Sequence, residues 1–401
     1  MTLHKKVIRC MLATLYGLPL SILVILIRKF FLIRFQSSMS ERIGHFSANF
    51  DLYLCEKKFN INRPKIKNYI DIFCLQKKVS NNFLAKKWSE KLIILHYGFV
   101  IPIIDCLKFF NQFKYHEIKH NTNSDRDVYN LIDKTKPFIK LSNEENKLGY
   151  ELLSKIGFNE KTKFVSIVVR DSSYLEQNFK ETDYNYHKIR DYKITSFIPA
   201  IKFLISQGYK VIIMGSTVNQ SINIKSDAIF DYSNSTIKSD FLDIFIISKC
   251  EFFIRTSGLG GVAVIFRKPI LHLSSHLGYL MTSSKKNLLL LKNFYSVTEN
   301  KNLSINELFE KNLAFDIEID YLKKKKIICQ ESSDDILNAT REIVEIIRKK
   351  KEYHENEKNL QNKFKKDYLE KIKLLNKSNF HGKFLANMSI EYLKKNFNNY
   401  E

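Results

Sequence analysis

Several kinds of functional site are absent from this sequence of 401 residues. Its six cysteines are scattered and form no CxxC pair, which argues against a zinc site and against a disulfide framework. Scattered cysteines in a chain of this length are typical of a reducing compartment. No DxD pair follows a predicted strand in a metal-binding arrangement, so we expect no bound metal.

Acidic residues are few beside basic ones, 42 against 65, and the formal net charge is +23. This charge is consistent with an anionic partner, although the abundance of lysine, isoleucine and asparagine favours simple compositional bias. Zinc fingers, RNA-binding signatures and internal repeats are absent, so we expect no nucleic acid partner. A nucleotide diphosphate and a membrane surface both remain compatible with the charge.

The N-terminal segment, 1–28, is predicted to be a membrane-associated apolar helix. Basic residues precede a mostly apolar run at 10–27, and Arg28 and Lys29 follow it. This run is at the lower limit for a membrane span, and no small-residue cleavage site follows it. Basic flanks suit a helix that lies in the cytoplasmic leaflet. A buried amphipathic helix is the alternative interpretation.

The next segment, 29–158, is predicted to form a first α/β domain. A strand at 30–35 is followed by a polar loop, by Gly44 and by a helical pattern. Further strands are expected at 69–75 and 92–95, and this order of elements is typical of α/β folds. We place the end of the domain where a polar run precedes a new strand.

The segment 159–330 is predicted to form a second α/β domain, followed by a charged helical tail at 331–401. Apolar strands alternate here with helices, which indicates βαβ units and a parallel sheet. Ligands of such sheets bind at the carboxyl ends of the strands. Four loop positions are expected at that edge, namely Arg170, Gly215, Asp231 and Thr256.

An apolar strand, a small glycine-rich turn and an apolar helix follow one another at 252–266. The turn contains Thr256, Ser257, Gly258, Leu259, Gly260 and Gly261. Backbone N–H groups at a helix N-terminus attract phosphate, and glycine lets a bulky diphosphate approach the backbone. The turn is therefore predicted to bind a diphosphate. Simple packing and helix capping are the alternatives.

A series of short motifs occurs in fixed order in the second half of the chain. The motifs are Arg170-Asp171-Ser172-Ser173-Tyr174, Tyr186-His187-Lys188-Ile189-Arg190, Phe197-Ile198-Pro199-Ala200, Met214-Gly215, Asp231-Tyr232-Ser233, Ser239-Asp240-Phe241-Leu242-Asp243-Ile244 and Phe266-Arg267-Lys268-Pro269. Together with Arg42-Ile43-Gly44-His45-Phe46, this series resembles a bacterial family of glycosyltransferases from surface-polysaccharide gene clusters, heptosyltransferase- or fucosyltransferase-like in type. The chain differs from the family pattern in its glycine-rich turn and at Ile213, where the family tends to have arginine.

The resemblance implies an α/β GT-B fold, in which two Rossmann-like domains face each other across a cleft. The N-terminal apolar helix and the helical C-terminal tail would be additions to it. The implied domains are 29–158 for the acceptor and 159–330 for the nucleotide sugar. The implied reaction transfers a sugar from a nucleotide-diphosphate sugar to a surface polysaccharide or lipid-linked glycan, without cofactor or metal. The implied location is the cytoplasmic face of the inner membrane.

Several residues are candidates for donor binding. Arg170 ends a strand, and its guanidinium can hold a diphosphate through two hydrogen bonds, with surface pairing to Asp171 as the alternative. Asp240 and Asp243 are expected to hold a ribose or to steady Arg170, although acidic residues also simply favour a helix N-terminus. The full predicted substrate-binding set is Arg170, Asp171, Gly215, Thr256, Ser257, Gly258, Leu259, Gly260, Asp240, Asp243 and Gly44.

His45 is the candidate general base. It follows Gly44 in the first loop of the N-terminal domain, where similar heptosyltransferase-like enzymes have an acidic residue as base. Histidine titrates near neutral pH and can take a proton from an acceptor hydroxyl. His187 is the rival candidate, and a purely structural role for His45 in capping the helix is the alternative.

Two other functions remain open from the sequence. A nucleotide-sugar epimerase would use the same fold but would not need the apolar N-terminal helix. A non-catalytic scaffold of a polysaccharide assembly machine would tolerate alanine at Arg170 and His45 without loss of glycan.

Overall fold

The protein is described by a computed structural model that covers residues 11, 13–119, 125–170, 185–215, 222, 224, 226–256, 258–315, 319–375 and 380–397. The chain forms two compact units, 1–125 and 126–401. Parallel sheets flanked by helices occur in both units, so the predicted α/β class is confirmed.

The first unit contains a small parallel sheet with its helices. Its elements are, in chain order, a π-helix at Ala13–Gly17, α1 (Leu18–Ile27), β1 (Leu32–Ser37), α2 (Ile43–Lys58), β2 (Tyr69–Cys74), α3 (Asn82–Ser89), β3 (Ile93–Leu95), α4 (Tyr97–Phe109) and α5 (Phe113–His116). The sheet has the order β1-β2-β3, and Glu117 forms a parallel bridge to Phe35 on the free side of β1. Three described strands make this sheet smaller than the Rossmann-like domain predicted from the sequence.

Aromatic packing fills the space between α2 and the sheet of the first unit. Phe50 lies against Phe73 at 5.2 Å and against Trp88 at 5.8 Å between ring centroids, with all three side chains buried. A buried ion pair crosses the strands beside them, since Arg34 donates to both carboxylate oxygens of Asp71 at 2.7 and 2.8 Å. Because each charge has its partner and further hydrogen bonds, the pair is tolerated in the interior.

The second unit contains a larger sheet. Its first elements are a 3₁₀ turn at Ile132–Lys134, α6 (Asn143–Ser154), β4 (Phe164–Val168), 3₁₀ turns at Asn185–Arg190 and Ile194–Phe197, α7 (Ile198–Ser206), β5 (Lys210–Met214), β6 (Ile229–Asp231), α8 (Asp240–Lys249), β7 (Phe253–Arg255), α9 (Gly260–Ile265), β8 (Ile270–Ser274) and a 3₁₀ turn at Leu277–Tyr279. Its later elements are β9 (Leu288–Leu291), β10 (Asn293–Ser296), β11 (Lys301–Asn302), α10 (Ile305–Glu310), α11 (Ile319–Lys324), β12 (Ile327–Gln330), α12 (Ser333–Ile347), α13 (Glu355–Leu374), β13 (Asn387–Met388) and α14 (Ile390–Asn396).

The main sheet of the second unit has the order β13-β9-β8-β7-β4-β5-β6, and every pairing in it is parallel. Counted from β4 as the first strand of the unit, the six strands from β6 to β9 follow the order 3-2-1-4-5-6. This is the strand order of the Rossmann fold. A second, antiparallel sheet, β11-β10-β12, was not expected from the sequence.

The second unit begins earlier than the boundary predicted at 158/159. Its helix α6 packs against α8, where Gly149 lies so close to Phe245 that a Cβ would stand 2.3 Å from the ring. Tyr150 adds an edge contact to the same ring at 5.2 Å between centroids. These contacts attach 143–154 to the second unit, because they help to remove the ring of Phe245 from water.

The C-terminal segment 331–401 is not a separate helical tail. Ile336, Ile343 and Val344 of α12 are buried in the main core of the second unit. Strand β13 pairs with β9 and extends the sheet by one strand. Charged residues dominate the composition of this segment, but α12 also has apolar residues at helical spacing. These apolar residues pack α12 against the sheet.

Of the predicted N-terminal apolar helix, the structure describes α1 at Leu18–Ile27 and the π-helix at Ala13–Gly17 that leads into it, while 1–10 lie outside the described residues. Helix α1 packs on α4, where Val24 joins the same core as Phe35 and Val100. Within the described part of the chain, no helix combines the length and hydropathy needed to cross a bilayer.

Candidate functional site

Strands β4 and β7 lie side by side at the centre of the main sheet. The chain leaves β4 toward β5 on one side, and it leaves β7 toward β8 on the other side. In doubly wound sheets, ligands bind in the crevice outside the carboxyl ends of two strands at such a reversal, and we call this place the β4–β7 crevice. The residues that follow the two strands, Val169-Arg170 and Thr256, therefore mark the candidate site.

Thr256 ties the two strand ends together. It is buried, its backbone N–H donates to the Val168 carbonyl at 3.1 Å, and its hydroxyl accepts from the Arg170 N–H at 2.6 Å. The same hydroxyl lies 3.3 Å from the Val168 carbonyl and donates to it. Because these bonds occupy the hydroxyl, Thr256 holds the Arg170 backbone in place instead of presenting its hydroxyl to a ligand.

Arg170 lies at the crevice as predicted, with an ion-pair partner that the sequence did not indicate. Its guanidinium bonds to the carboxylate of Asp191, while Asp171 lies outside the described residues. The ammonium of Lys292, just after β9, bonds to the backbone carbonyl of Asp191 and lies 3.3 Å from the carboxylate of Glu331. Asp191 thus orients the guanidinium, and Lys292 anchors the segment that carries Asp191.

Arg255, the last residue of β7, places a second guanidinium at this edge. The side chain is 9% exposed, and one of its terminal nitrogens lies 2.7 Å from the sulfur of Met281. A Cβ on Gly260 would stand 2.2 Å from Cδ and 2.6 Å from Nε of Arg255. Glycine at 260 leaves room for the arginine side chain, a role that the sequence did not indicate.

Several positively charged side chains lie around His272, which is on β8. It pairs with Arg255 across β7 and β8, so both side chains leave the same face of the sheet. Burial holds the pKa of His272 well below its ordinary value, and the charges of Arg255, Arg190, Arg126 and His381 lower it further. The ring is therefore neutral, with Nδ1 accepting from the Met281 N–H at 3.1 Å. We call Arg126, Arg190 and Arg255 the arginine cluster.

A separate polar group lies at the ends of β5 and β6. Tyr232 is buried, and its hydroxyl bonds to Asp243 and to the backbone of Ser239. Lys238 donates to the carbonyl of Gly215, and its charge acts on Asp243. Asp243 is thus grouped with Tyr232 and Lys238 and not with Arg170, so its predicted role of steadying Arg170 belongs to Asp191 instead.

The helix after the glycine-rich turn begins later than the sequence predicted. Helix α9 begins at Gly260, with Leu259 as its N-cap residue and no side-chain cap. Thr256 and Gly258 therefore precede the helix and do not cap it, and Ser257 lies outside the described residues. The helix has only six residues, so the arginines supply more of the positive charge at this edge than the helix end can.

In the first unit, Gly44 and His45 lie in the first turn of α2 and not in a loop, because the helix already begins at Ile43. The Nδ1 atom of His45 lies 3.9 Å from a carboxylate oxygen of Asp125, and the imidazole side chain is 26% exposed. Among the described residues, this nitrogen has no hydrogen-bond partner. His45 thus presents a partly exposed imidazole next to a carboxylate, without a hydrogen bond between them.

Two further predicted residues, His187 and Asp240, belong to helical elements of the second unit. The side chain of the rival base His187 lies outside the described part of the chain, although its backbone belongs to the 3₁₀ turn Asn185–Arg190. Asp240 opens α8 and contributes negative charge near Asp243. The sequence missed Asp191, Arg255 and Asp125. Of these three residues, only Arg255 could have been found from the sequence, because it follows the apolar part of a predicted strand as Arg170 does.

Among solved structures, the chain is similar to glycosyltransferases at low sequence identity. No family model matches the chain, and no curated protein matches it. A glycosyl transferase family 9 protein from Veillonella parvula has 10% identity and a TM-score of 0.41, over 79% of this chain and 98% of that one. TibC from enterotoxigenic E. coli, described as an iron-containing dodecameric glycosyltransferase, has 12% identity and a TM-score of 0.33, over 62% of this chain and 59% of TibC.

A further structure of TibC, described as a heptosyltransferase in complex with ADP-D-beta-D-heptose, has 13% identity and a TM-score of 0.29. It covers 62% of this chain and 59% of that one. With TM-scores this low, none of the three structures decides the fold or the reaction of this chain.

The environment of Asp243 predicts a pH-dependent contribution to stability. Burial raises its pKa from 3.8 to about 6 in the folded protein, so the folded state binds this proton more tightly than the unfolded chain does. Stability is therefore lost as the pH rises through the folded-state pKa. The variant Asp243→Asn cannot titrate, and its stability relative to wild type should rise by roughly 3 kcal/mol between about pH 4 and pH 7.

Urea unfolding of both proteins across this pH range measures the difference. Asp231→Asn is the control, because this carboxylate lies nearby on β6 and bonds to Ser233 and Asn234 instead. A difference between Asp243→Asn and wild type that stays constant with pH would contradict the assignment.

Proposed function

We propose that this protein is a glycosyltransferase that binds a nucleotide-diphosphate sugar at the β4–β7 crevice. The acceptor is a hydroxyl group of a surface polysaccharide or lipid-linked glycan, and the site of action is the cytoplasmic face of the inner membrane. One observation carries the proposal: the second unit has the Rossmann strand order, and an ion-paired arginine, Arg170, lies at its switch point.

The residues after β4 favour a nucleotide diphosphate over a dinucleotide cofactor. Dinucleotide-binding Rossmann domains have a glycine fingerprint after their first strand, which lets the pyrophosphate rest on a helix end. Here the segment after β4 begins Val169-Arg170-Asp171 and has no glycine. A guanidinium at that place supports a mode of binding in which side-chain charge, and not a glycine loop, balances the diphosphate.

The arginines have a chemical role in the proposed transfer. Negative charge grows on the nucleoside diphosphate as the sugar leaves, and fixed positive groups aimed at it stabilise that transition state. Arg170 is held for this task by Asp191 and, through the backbone, by Thr256. Arg255, the last residue of β7, adds positive charge from the same edge of the sheet. Independence from metal ions stays a prediction.

His45 remains the proposed general base. The acceptor hydroxyl has to lose a proton as it attacks, and the imidazole of His45 with Asp125 beside it supplies a proton acceptor on the first unit. Gly215 and Asp240, which lie after β5 and at the start of α8, stay candidates for contact with the nucleoside.

The two alternative functions have distinct products. A transferase releases a nucleoside diphosphate in proportion to the sugar moved. An epimerase returns the nucleotide sugar with a changed sugar and no net release, and a scaffold leaves it unchanged. Incubating the purified protein with ADP-, UDP-, GDP- and dTDP-sugars and a lipid-linked acceptor fraction, followed by chromatography of the nucleotides, separates the three functions.

The first prediction concerns the donor. Arg170→Ala should lower the affinity for the preferred nucleoside diphosphate by about 10- to 150-fold, because one charged hydrogen bond is worth ~1.5–3 kcal/mol. Arg170→Lys should recover only part of this loss, since an ammonium keeps the charge but not the planar fork. Isothermal titration calorimetry measures both variants.

Arg348→Ala is the matched control, because this arginine is exposed at the end of α12 and bonds to Gln207. Equal affinities of wild type and Arg170→Ala would remove Arg170 from the donor site.

The second prediction concerns the base. His45→Ala should lower turnover by ~10²–10⁴-fold and leave nucleotide affinity intact, because general-base catalysis contributes that much to the chemical step. Asp125→Asn should lower turnover less, since Asp125 acts through His45. Steady-state rates with calorimetry on the same samples separate turnover from binding. Unchanged turnover of His45→Ala would transfer the role to His187 or to a mechanism without a protein base.

A further inference from the structure

Helices α1 and α4 of the first unit pack side by side in parallel. The hydroxyl of Tyr16 bonds to the carbonyl of Gly98, and its ring stacks on Phe99 at 5.4 Å between centroids. One turn later, the hydroxyl of Ser21 lies 3.2 Å from the Ile103 carbonyl. At the far end, Arg28 donates to the side chain of Gln112 at 2.9 Å. The C-terminal ends of the two helices therefore lie together.

The side of α1 that faces away from α4 is apolar and exposed. Ser21 is buried and Val24 is 5% exposed against α4, whereas Leu23 is 51% and Leu26 is 70% exposed. Ile22 of α1 is 46% exposed, and Leu15 of the π-helix that leads into α1 is 77% exposed. We call this surface the apolar face. Exposed apolar patches on a protein surface commonly mark sites of interaction with a partner or a membrane.

Aromatic and basic side chains surround the shared C-terminal end of the two helices. Phe30 is 80% and Phe109 is 84% exposed. The guanidinium of Arg28 lies 4.4 Å from the ring centroid of Tyr115, and the ammonium of Lys108 lies 5.0 Å from that of Phe113. We call this region the aromatic end. Exposed aromatic rings next to basic groups are typical of the interfacial zone of a membrane.

The charges of these elements favour an anionic surface as their partner. No acidic residue occurs in 11–31, and Asp105 is the only one in 97–116. Lys29, Lys108 and Lys114 are exposed at the aromatic end. A protein partner would need a matching apolar and acidic surface, whereas an anionic bilayer offers acyl chains below a layer of negative headgroups.

We propose that the apolar face and the aromatic end together form a surface that binds an anionic lipid bilayer. The helix α1 lies in the plane of the interface, with Leu23 and Leu26 toward the acyl chains and Lys29 and Lys108 among the headgroups. One side of α1 is covered by α4, so the helix meets the bilayer with its opposite side, which is an interfacial geometry.

This surface extends the sequence-based expectation to a second element of the chain. Residues 1–28 alone were expected to attach the protein, whereas Phe109, Lys108 and Lys114 come from α4 and the segment after it. The inference is independent of the proposed reaction, because lipid binding is measured without nucleotide or acceptor. Loss of lipid binding and loss of catalysis are therefore separate results.

Vesicle flotation of the full chain tests the apolar part of the surface. Wild type should float with vesicles of phosphatidylcholine mixed with phosphatidylglycerol. The double variant Leu26→Ser with Phe109→Ser should lose roughly 10- to 100-fold in partition coefficient, because two exposed apolar side chains no longer enter the bilayer. Leu374→Ser is the matched control, since Leu374 is 78% exposed in the second unit, and it should bind like wild type.

The charged part of the surface is tested by lipid composition and by salt. Lys29→Gln with Lys108→Gln should weaken binding to the anionic vesicles about tenfold or more, and leave binding to pure phosphatidylcholine unchanged. The control pair Lys324→Gln with Lys350→Gln should have no effect. Raising the salt concentration should reduce wild-type binding toward that of the lysine variant.

Three results would overturn the proposal. The first is equal flotation of the apolar double variant and the Leu374→Ser control. The second is equal wild-type binding to neutral and anionic vesicles at every salt concentration. The third is a wild-type dimer in light scattering that becomes monomeric in the double variant while neither protein floats, because the apolar face would then bind a second copy of this chain.

Discussion

The pairing of β4 with β7 is the constraint on which the candidate site depends. Hydrogen bonds join the two parallel strands from Ser166↔Phe253 to Val168↔Arg255, and both strands are buried. Their connections leave in opposite directions, which makes this pair the switch point of the sheet. In doubly wound sheets, ligands bind at the carboxyl ends of such a pair. What binds there is then decided by the few residues that follow the two strands.

Those residues place positive charge in a poorly hydrated environment. Burying a guanidinium is costly unless a charge or a set of hydrogen bonds compensates it. Arg170 is compensated by Asp191, and Thr256 fixes its backbone. The charges of the arginine cluster also lower the pKa of His272, so the buried ring beside them stays neutral.

The sequence predicted the strands of the second unit well, because buried parallel strands are short apolar runs between turn residues. Strand β5 lies at the predicted 210–214, and Arg170 and Thr256 lie at the predicted edge. The boundary at 158/159 was misplaced, because the attachment of α6 depends on the contact of Gly149 with Phe245, which has no local signal. The C-terminal segment was misjudged because its many lysines outweigh the apolar stripe of α12.

Partners that come from distant parts of the chain could not be predicted either. Asp191 pairs with Arg170 across 21 residues, and Asp125 approaches His45 from the far end of the first unit. The sequence suggested Asp171 as a partner of Arg170, because the two residues are adjacent in the chain. The reason for Gly260 was also hidden: the glycine accommodates the side chain of Arg255, which is a contact between a turn and the strand before it.

Amide hydrogen exchange of the full chain, with and without nucleoside diphosphates, tests the location of the donor site most directly. With the preferred nucleotide, we expect slower exchange in peptides that contain the ends of β4 and β7 and in those around Asp191. Peptides from α1 and α4 should be unchanged. Protection that falls elsewhere in the second unit, or no protection with any nucleoside diphosphate, would contradict the assignment of the β4–β7 crevice as the nucleotide-sugar site.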